Sequence, residues 1–290
     1  AGRAQHPQTQ GAGAGDQCPA LAQPRHGVLP PPASLSERRD MSPSIDARYH
    51  GVWARTLLDT PDTHDTTTWV RWLQTGLWHG DLRVPAEQDR STPEGRAHQQ
   101  GFGGTTAITR PDPLMPEVCT WQRTIDFQPL RSTPDAGFMR FETPERVVET
   151  GVHGVYLEVW ERLPGSVGQR IALAALDAAG QPTAERLLVS GQYVMHLRPR
   201  SAPWPAGTQP DDTLATLVQR HPEQAQALLD FEIAFGTWID GVWAVERATL
   251  PALEGGALSC ALQRTDPTSA TVTCRGLPSH WRVLEWHASD

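Results

Sequence analysis

The chain has 290 residues and a mass of 31.8 kDa, enough for one large domain or two small ones with a substantial core. Its formal net charge of -8 and its pI near 5.8 argue against nucleic-acid binding, which requires a basic face. It contains neither lysine nor asparagine, and the absence of lysine excludes Schiff-base, PLP and Walker A chemistry.

Residues 1–40 are rich in Gly, Ala, Gln and Pro and show no hydrophobic periodicity. We predict that they form a disordered or non-native tail ahead of a patterned segment that begins after Met41. No apolar run approaches the roughly 20 residues that span a bilayer, and the N-terminus lacks the apolar segment of a secretory signal. The expectation is a cytoplasmic protein without a membrane span.

From residue 51 onwards, short segments with period-two alternation recur between turn residues. The 26 Pro and 25 Gly favour many short strands over long helices. Because there are more candidate strands than one sandwich needs, the sequence predicts an all-β fold with two antiparallel barrels, or one barrel with a large β extension. The predicted strands are 51–58, 67–75, 77–84, 118–127, 137–142, 146–150, 154–163, 170–177, 184–189, 191–198, 231–238, 241–249, 257–263, 270–275 and 281–287.

The segment "TTTWVRWLQTGLWHGDLRVP", residues 66–85, covers two of these strands and carries an apolar and an ionic face. In its second strand, alternation places Trp78, Gly80, Leu82 and Val84 on one side and His79, Asp81 and Arg83 on the other. The polar trio is an alternative acid–base cluster, since a carboxylate on the same face could orient or charge the imidazole. The simpler interpretation is an ordinary polar strand face.

Two further strands mix aromatic side chains with opposite charges. Trp121 and Arg123 share one side of 118–127, and Tyr156, Glu158 and Trp160 share one side of 154–163. An arginine among tryptophans can stack on their rings and pair with a carboxylate, so Arg123 and Glu158 are predicted partners. The alternative is an internal brace or an outer ladder of cross-strand pairs. The predicted ligand-binding residues are Trp53, Trp121, Arg123, Tyr156, Glu158, Trp160, His196 and Arg198.

His196 and Arg198 enter that set because they share a face of "YVMHLRPR" and could meet a ligand carboxylate. No metal-binding helix, nucleophile elbow or Cys-x-x-Cys pair occurs, so the sequence predicts no catalytic residue and no metal site. No cofactor is implied. Haem is a minor alternative, because a barrel can offer one histidine to iron, and the strand-adjacent histidines are His50, His153, His196 and His287.

Two connecting segments and one cysteine pair complete the pattern. The helical stretch 210–230, capped by Asp212 or Thr213, is predicted to be a lid across a barrel end or a surface connector. Residues 84–104 form a long polar connection of the kind found at barrel mouths. A turn around Pro267 would place Cys260 opposite Cys274, and in a cytoplasm we expect two free thiols.

Gly51 and Trp53 in "YHGVWARTL" have the Gly-x-Trp spacing that opens lipocalin-like barrels, and Gly236 and Trp238 in "FGTWIDGVW" repeat it. With "TTTWVRW", "GFGGTT" and the closing "HWRVLEWHA", the chain from about Ile45 to Ala288 resembles the fungal Hri-one family and similar bacterial proteins of undefined function. That resemblance implies two lipocalin-like barrels and no established activity. We therefore expect one barrel in 41–152 and a second in 153–290, with a helical insertion near 212–230.

Three functions fit this pattern. The first is a non-enzymatic lipocalin-like protein that binds a small, mainly apolar molecule in a barrel cavity. The second is a barrel enzyme of the hydratase or isomerase type, which needs a histidine or carboxylate with a perturbed pKa inside the cavity. The third is a protein-interaction module, which a large exposed tryptophan patch would favour. The orientation of Arg123, Glu158 and Trp160, into a cavity or onto an outer ladder, discriminates among them.

Overall fold

The computed structural model describes residues 44–129 and 132–288, and the predicted tail 1–40 lies outside them. A first antiparallel sheet closes into a barrel because its last strand pairs with its first strand. Eight strands form the wall, and the two-residue β2 pairs with the end of β1. The strands are β1 Gly51–Asp59, β2 His64–Asp65, β3 Trp69–Gln74, β4 Trp78–Val84, β5 Gln100–Thr109, β6 Glu117–Asp126, β7 Asp135–Thr143, β8 Arg146–Gly151 and β9 Leu157–Arg162.

The second sheet is also a closed antiparallel barrel of eight strands. Its strands are β10 Arg170–Leu176, β11 Pro182–Ser190, β12 Tyr193–Arg198, β13 Glu232–Ile239, β14 Val242–Ala248, β15 Ala257–Asp266, β16 Ser269–Cys274 and β17 His280–His287. Its interior is filled by apolar side chains, among them Leu173, Leu187, Trp243 and Trp281. The predicted all-β class with two antiparallel barrels is therefore confirmed.

The first barrel extends beyond the predicted domain boundary between residues 152 and 153. β9 pairs with both β8 and β1, so it closes the first barrel, and 163–169 connect the two barrels. The sequence also missed β5, because residues 100–104 were assigned to a polar loop. β5 carries Gly101, Gly103 and Gly104, and these residues suppress the aromatic and β-branched signal by which a strand is recognised.

Gly101 and Gly103 have a packing role, since the outer face of β3–β5 lies against the outer face of β11–β13. A Cβ atom added to Gly103 would lie 2.6 Å from Cδ2 of Leu197, and one added to Gly80 would lie 2.5 Å from Sδ of Met195. The Trp69 ring packs edge-to-face on Phe235 at 5.6 Å. The two barrels thus share an apolar core outside both sheets, which also contains Leu73, Leu82, Leu188, Leu197, Ile233 and Phe235.

A buried carboxylate fixes the β3–β4 turn to the second barrel. Glu285 of β17 is 7% exposed and accepts hydrogen bonds from the Thr75 hydroxyl at 2.8 Å and from the backbone N–H groups of Gly76 and Leu77 at 2.7 and 3.2 Å. The N–H groups of a tight turn are an effective anion-binding set. Residues 66–85 therefore contain two strands joined by a turn that docks on the other barrel.

The helical insertion packs between the barrels. α2 Leu214–Arg220 begins with the predicted Thr213 cap, which accepts from the Thr216 N–H at 3.1 Å. A 3-10 turn Pro222–Gln224 leads into α3 Ala225–Leu228, and α2 contacts α1 Pro93–Ala97 of the first barrel. The buried side chains of Leu214, Leu217 and Leu228 join the inter-barrel core, so this segment is a buried connector and not one on the surface. Further 3-10 turns are Ala47–Tyr49 and Pro251–Leu253.

Cys260 and Cys274 face each other on β15 and β16, as the turn around Pro267 predicts. The expectation of two free thiols is wrong, because the structure joins them in a disulfide. Cys119 is a buried free thiol in the first barrel, and burial raises its pKa. Across residues 44–129 and 132–288, no helix combines the length and hydropathy required to cross a membrane.

Gly103→Val tests the contact between the barrels. Valine favours strands, but here its side chain would meet Leu197 and the His79 carbonyl oxygen, the latter 3.1 Å from the added Cβ. We expect the free energy of unfolding to fall by about 1–3 kcal/mol, the usual cost of overpacking. Urea denaturation of Gly154→Val provides the control, since a Cβ at Gly154 has no neighbour closer than 4.0 Å. Equal stability of the two variants would contradict the described packing.

Candidate functional site

A cavity of about 240 Å³ lies inside the first barrel, at the end where β1, β4 and β6 finish and β7 and β9 begin. Aromatic rings line part of its wall and charged groups line most of the rest. The lining residues include Trp72, Phe102, Trp121, Tyr156, Trp160, Asp81, Arg83, Arg123, Asp126, Asp135, Glu149 and Glu158. Of the predicted ligand-binding residues, Trp121, Arg123, Tyr156, Glu158 and Trp160 thus lie together on this wall.

The aromatic part of the wall is built around Trp72 of β3. Its ring packs edge-to-face on Trp121 at 5.4 Å and on Trp160 at 5.8 Å, with interplanar angles of 78° and 76°. Trp53 stacks on Trp72 at 6.1 Å and is fully buried, so it supports the wall without lining the cavity. Four tryptophans from β1, β3, β6 and β9 therefore close the inner end of the cavity, because each faces inward on its strand.

Three arginines neutralise most of the carboxylates around the cavity. Arg83 donates to Asp81 at 2.8 Å and lies 3.7 Å from Glu158. Arg55 of β1 donates to Glu158 at 2.7 Å and to Asp65 at 2.9 Å. Glu158 is therefore paired with Arg55 and Arg83, and not with Arg123 as the sequence predicts. Such mutual pairing makes the burial of these charges tolerable.

Arg123 pairs with Asp126 at 3.1 Å and with Asp135, and its guanidinium carbon lies 3.5 Å from the centre of the Phe102 ring. The register between β5 and β6 shifts at Gly104, where an added Cβ would lie 1.9 Å from the Gln122 carbonyl oxygen. Because of this bulge, the regular alternation of inward and outward side chains along β6 stops after Arg123. Ile125 and Phe127 consequently join the inter-barrel core, while Arg123 and Asp126 line the cavity.

Glu149 of β8 differs from the other carboxyl groups on the wall. It accepts a hydrogen bond from the Tyr156 hydroxyl at 2.7 Å and from the Trp160 indole N–H at 3.0 Å, and it is 3% exposed. Among the described residues, no arginine or histidine lies within ion-pair distance of it. Burial, reinforced by the neighbouring Glu158 carboxylate, raises the pKa of Glu149 well above its usual range. Gly137 makes room for this carboxyl group, since a Cβ there would lie 2.5 Å from it.

The alternative acid–base trio does not act as one cluster. His79 is 1% exposed and forms a hydrogen bond with Thr106 through Nδ1 at 3.0 Å, whereas Asp81 pairs with Arg83 on the cavity wall. Burial, with a contribution from Arg123, lowers the pKa of His79 to about 3, so the imidazole is neutral. His79 does not line the cavity, and the predicted orientation or charging of its ring by Asp81 is wrong.

His196 and Arg198 lie in the second barrel, apart from the other predicted site residues. The two ring nitrogens of His196 are each 2.8 Å from a carboxylate oxygen, one of Glu185 and one of Glu232. Burial opposes protonation, but these two partners prevail and raise the pKa of His196. Arg198 pairs with Asp230 at 2.8 Å. Protein carboxylates therefore occupy the positions predicted for a ligand carboxylate.

The candidate haem histidines do not converge on the cavity. His153 and His287 are exposed, His50 is buried, and none of them or His196 lines the cavity in the described part of the chain. Within the same residues, no group of three or more His, Cys, Asp or Glu side chains could hold a metal ion. A second cavity, of about 390 Å³, lies at one end of the second barrel and is lined mostly by apolar groups, including Ile171, Val189, Trp238, Leu262 and Trp286.

Sequence alternation missed several residues of the site. Glu149 follows Val147 on the inward face of β8, a period-two pattern that could have revealed it. Asp126 and Asp135 flank the β6–β7 connection, where a bulge and a strand end hide their orientation. Trp72 of β3 and Phe102 of β5 also face the interior of the barrel, as the predicted residues Trp121 and Trp160 do. Long-range pairing across the closed sheet was needed to bring these groups together.

No family model matches the sequence, and no curated protein matches it. The fold is similar to the crystal structure of an uncharacterised protein, YLR301w, from Saccharomyces cerevisiae, with a TM-score of 0.50 and 13% sequence identity. The similarity covers 82% of this chain and 99% of the yeast chain. At this identity the likeness shows a shared double-barrel fold alone.

Glu149→Gln tests the burial of a protonated carboxyl group. Below the ordinary pKa of 4.5 both the folded and unfolded states keep the proton, whereas at higher pH the unfolded state ionises first, so unfolding becomes easier. Glutamine removes this penalty. We expect the variant to be more stable than the parent at about pH 8, by roughly 1 kcal/mol or more, since one pKa unit corresponds to about 1.4 kcal/mol. The difference should shrink towards about pH 4.5.

The measurement is urea denaturation at several pH values, with Glu87→Gln as the exposed control. The control should change stability by less than about 0.5 kcal/mol at every pH. A Glu149→Gln protein that is less stable than its parent at about pH 8 would show that Glu149 is an ionised, favourably paired group.

Proposed function

We propose that this protein binds a small molecule in the cavity of its first barrel. The observation that carries the proposal is that Trp121, Arg123, Glu158 and Trp160 turn inward to a space that the protein leaves unfilled. Small-molecule sites are concave, largely preformed and lined by rings with a few convergent polar groups. The wall around Trp72 has this composition.

The energetics of the wall also support a ligand site. Buried ion pairs seldom add to stability relative to well-packed apolar groups, because both charges lose their hydration. The second barrel is filled differently, since leucine, valine and tryptophan make up most of its interior and the buried His196 is paired with Glu185 and Glu232. Arg83, Glu158 and Glu149 occupy the corresponding space in the first barrel. We attribute the charged lining of the first barrel to the recognition of a ligand.

The proposed ligand has an apolar body and at least one polar group. The rings of Trp72, Trp121 and Trp160 would contact the apolar part, as expected for a lipocalin-like binder of mainly apolar molecules. The carboxyl and guanidinium groups near the open end would orient the polar part. We propose relatedness to the lipocalin-like Hri-one proteins on the basis of the quoted motifs, and the double-barrel architecture supports it.

A barrel enzyme is the second candidate, and Glu149 is the observation that favours it. A carboxyl group with a raised pKa in a cavity can act as a general acid, and the Tyr156 hydroxyl lies 2.7 Å from it. A protein-interaction module has less support. The large apolar side chains that are most exposed in the described residues are Leu114, Met115, Val155, Val167, Ile239 and Val242, and no tryptophan is among them.

Two tryptophan substitutions distinguish the cavities. Leu58 lines the first-barrel cavity and Leu262 lines the second-barrel cavity, and both side chains are half-buried. Native mass spectrometry with a library of small amphipathic molecules should show one-to-one complexes of the parent and of Leu262→Trp. Leu58→Trp should lose at least about tenfold in affinity for the same molecules, because the new indole fills the cavity.

Circular dichroism establishes that both variants keep the barrel fold. Complexes lost only in Leu262→Trp would move the site to the second barrel and contradict the proposal. Complexes retained by both variants would contradict it as well. A library molecule that returns with an altered mass after incubation, but not with Glu149→Gln, would favour the enzyme.

A further inference from the structure

The charges on the wall of the first-barrel cavity are unequal in number. Among the described lining residues there are four carboxylates that pair with arginine, Asp81, Asp126, Asp135 and Glu158, the buried carboxyl group of Glu149, and two guanidinium groups, Arg83 and Arg123, while Arg55 pairs with Glu158 from outside the lining. A cavity with low-dielectric walls concentrates the field of such an excess, which favours the entry of positive charge. The excess of carboxyl groups predicts that the ligand carries a positive charge. The proposed function alone does not specify that charge.

The two arginines are poorly placed to receive an anion. Arg83 is paired with Asp81 and lies near Glu158, and Arg123 is paired with Asp126 and Asp135. A ligand carboxylate or phosphate would have to displace one of these carboxylates or lie beside it. Both processes cost free energy in a partly desolvated site. The paired state of the arginines therefore disfavours an anionic ligand.

Glu149 is the carboxyl group on this wall without a cationic partner in the described structure. Its two hydrogen-bond donors, the Tyr156 hydroxyl and the Trp160 indole, are neutral and fix its position. An ammonium group beside Glu149 would add a charge-assisted hydrogen bond at a carboxyl that is already buried. The fold already holds this carboxyl group in a desolvated position, and an ammonium group beside it would supply the positive charge that stabilises its ionised form.

The aromatic rings suit the same kind of ligand. Trp160 donates to Glu149 and lies 5.8 Å from Trp72, which in turn lies 5.4 Å from Trp121. All three rings line the cavity. Tryptophan is the most favourable partner for a cation–π contact, and the attraction increases where water is excluded.

We infer that the ligand of the first barrel is a small organic ammonium ion with an apolar body, bound by the Glu149 carboxyl group and the rings of Trp72, Trp121 and Trp160. The inference rests on the proposed function and specifies its ligand class. The second-barrel cavity lacks this combination, since its lining contains no Asp or Glu in the described residues.

Three probes with the same phenylethyl skeleton test the charge. They are 2-phenylethylammonium, the uncharged 2-phenylethanol and the anion 3-phenylpropanoate, titrated calorimetrically into the full chain. The ammonium ion should bind at least about tenfold more tightly than the alcohol, as one charge-assisted hydrogen bond with cation–π contacts would give. The propanoate should bind more weakly than the alcohol.

Glu149→Gln isolates the role of the carboxyl group. It keeps the size of the side chain and one oxygen that can accept from Tyr156 or from Trp160, the two donors to Glu149. Its affinity for the ammonium ion should fall about tenfold, whereas its affinity for the alcohol should stay within about twofold. The exposed control Glu87→Gln should match the parent for all three probes.

Proton release provides a second readout. The groups that face Glu149 are Tyr156 and Glu158 of the β9 side, Asp135 of β7 and Arg83 of β4. Because burial raises the pKa of Glu149 in the free protein and a neighbouring cation would lower this pKa, binding should release protons to the buffer. Calorimetry at about pH 6 in buffers of different ionisation enthalpy should detect this release in the parent and not in Glu149→Gln.

The outcomes separate this inference from the proposed function. Equal binding of the ammonium ion and the alcohol, both lost in Leu58→Trp, would overturn the ammonium assignment and leave the proposed cavity intact. Tightest binding of the propanoate, ammonium binding unaffected by Glu149→Gln, or an absence of binding by all three probes would also overturn it. In the last case the library experiment on Leu58→Trp and Leu262→Trp decides the proposed function independently.

Discussion

The site depends on the packing of the outer face of β3–β5 against the second barrel. A strand has two faces, and in these strands the apolar one points outward to Leu197 and Phe235. The inner face is then available for charged and aromatic groups. In an isolated barrel the same arrangement would expose an apolar surface to water and bury charges inside. The second barrel covers that surface, and this allows the first barrel to contain a polar cavity.

The polar cavity is fixed by contacts that extend beyond it. Gln128 lines the cavity, donates to the carbonyl oxygens of Ala97 and Gln99, and accepts from the backbone N–H of Leu214 at the start of α2. The helical insertion of the second barrel therefore supports the wall of the first. Paired arginines and a buried hydrogen-bonded Glu149 make the site rigid before any ligand arrives, which lowers the entropy lost on binding.

Much of the fold was predictable because period-two alternation survives in most strands. It placed Trp121, Arg123, Tyr156, Glu158 and Trp160 on faces that do meet. It failed at β5, where close approach of the second barrel requires glycine, and after Arg123, where a bulge reverses the faces. The partners of Arg123 and Glu158 could not be derived, because alternation gives a side of a strand and not its neighbours. Those neighbours depend on register and on closure of the sheet between β1 and β9.

Burial of an ionisable group at Glu149 lowers the stability of the protein, whereas binding of the proposed cation requires a carboxyl group there. A glutamine there would remove the buried ionisable group, and we attribute the carboxyl group at this position to the proposed charged ligand. The most direct test is a crystal structure of the protein grown with 2-phenylethylammonium. We predict that the ammonium nitrogen lies at hydrogen-bond distance from Glu149, about 2.7–3.2 Å, with the phenyl ring against the tryptophans of the first barrel. Occupation of the second-barrel cavity, with the first barrel empty of the probe, would contradict it.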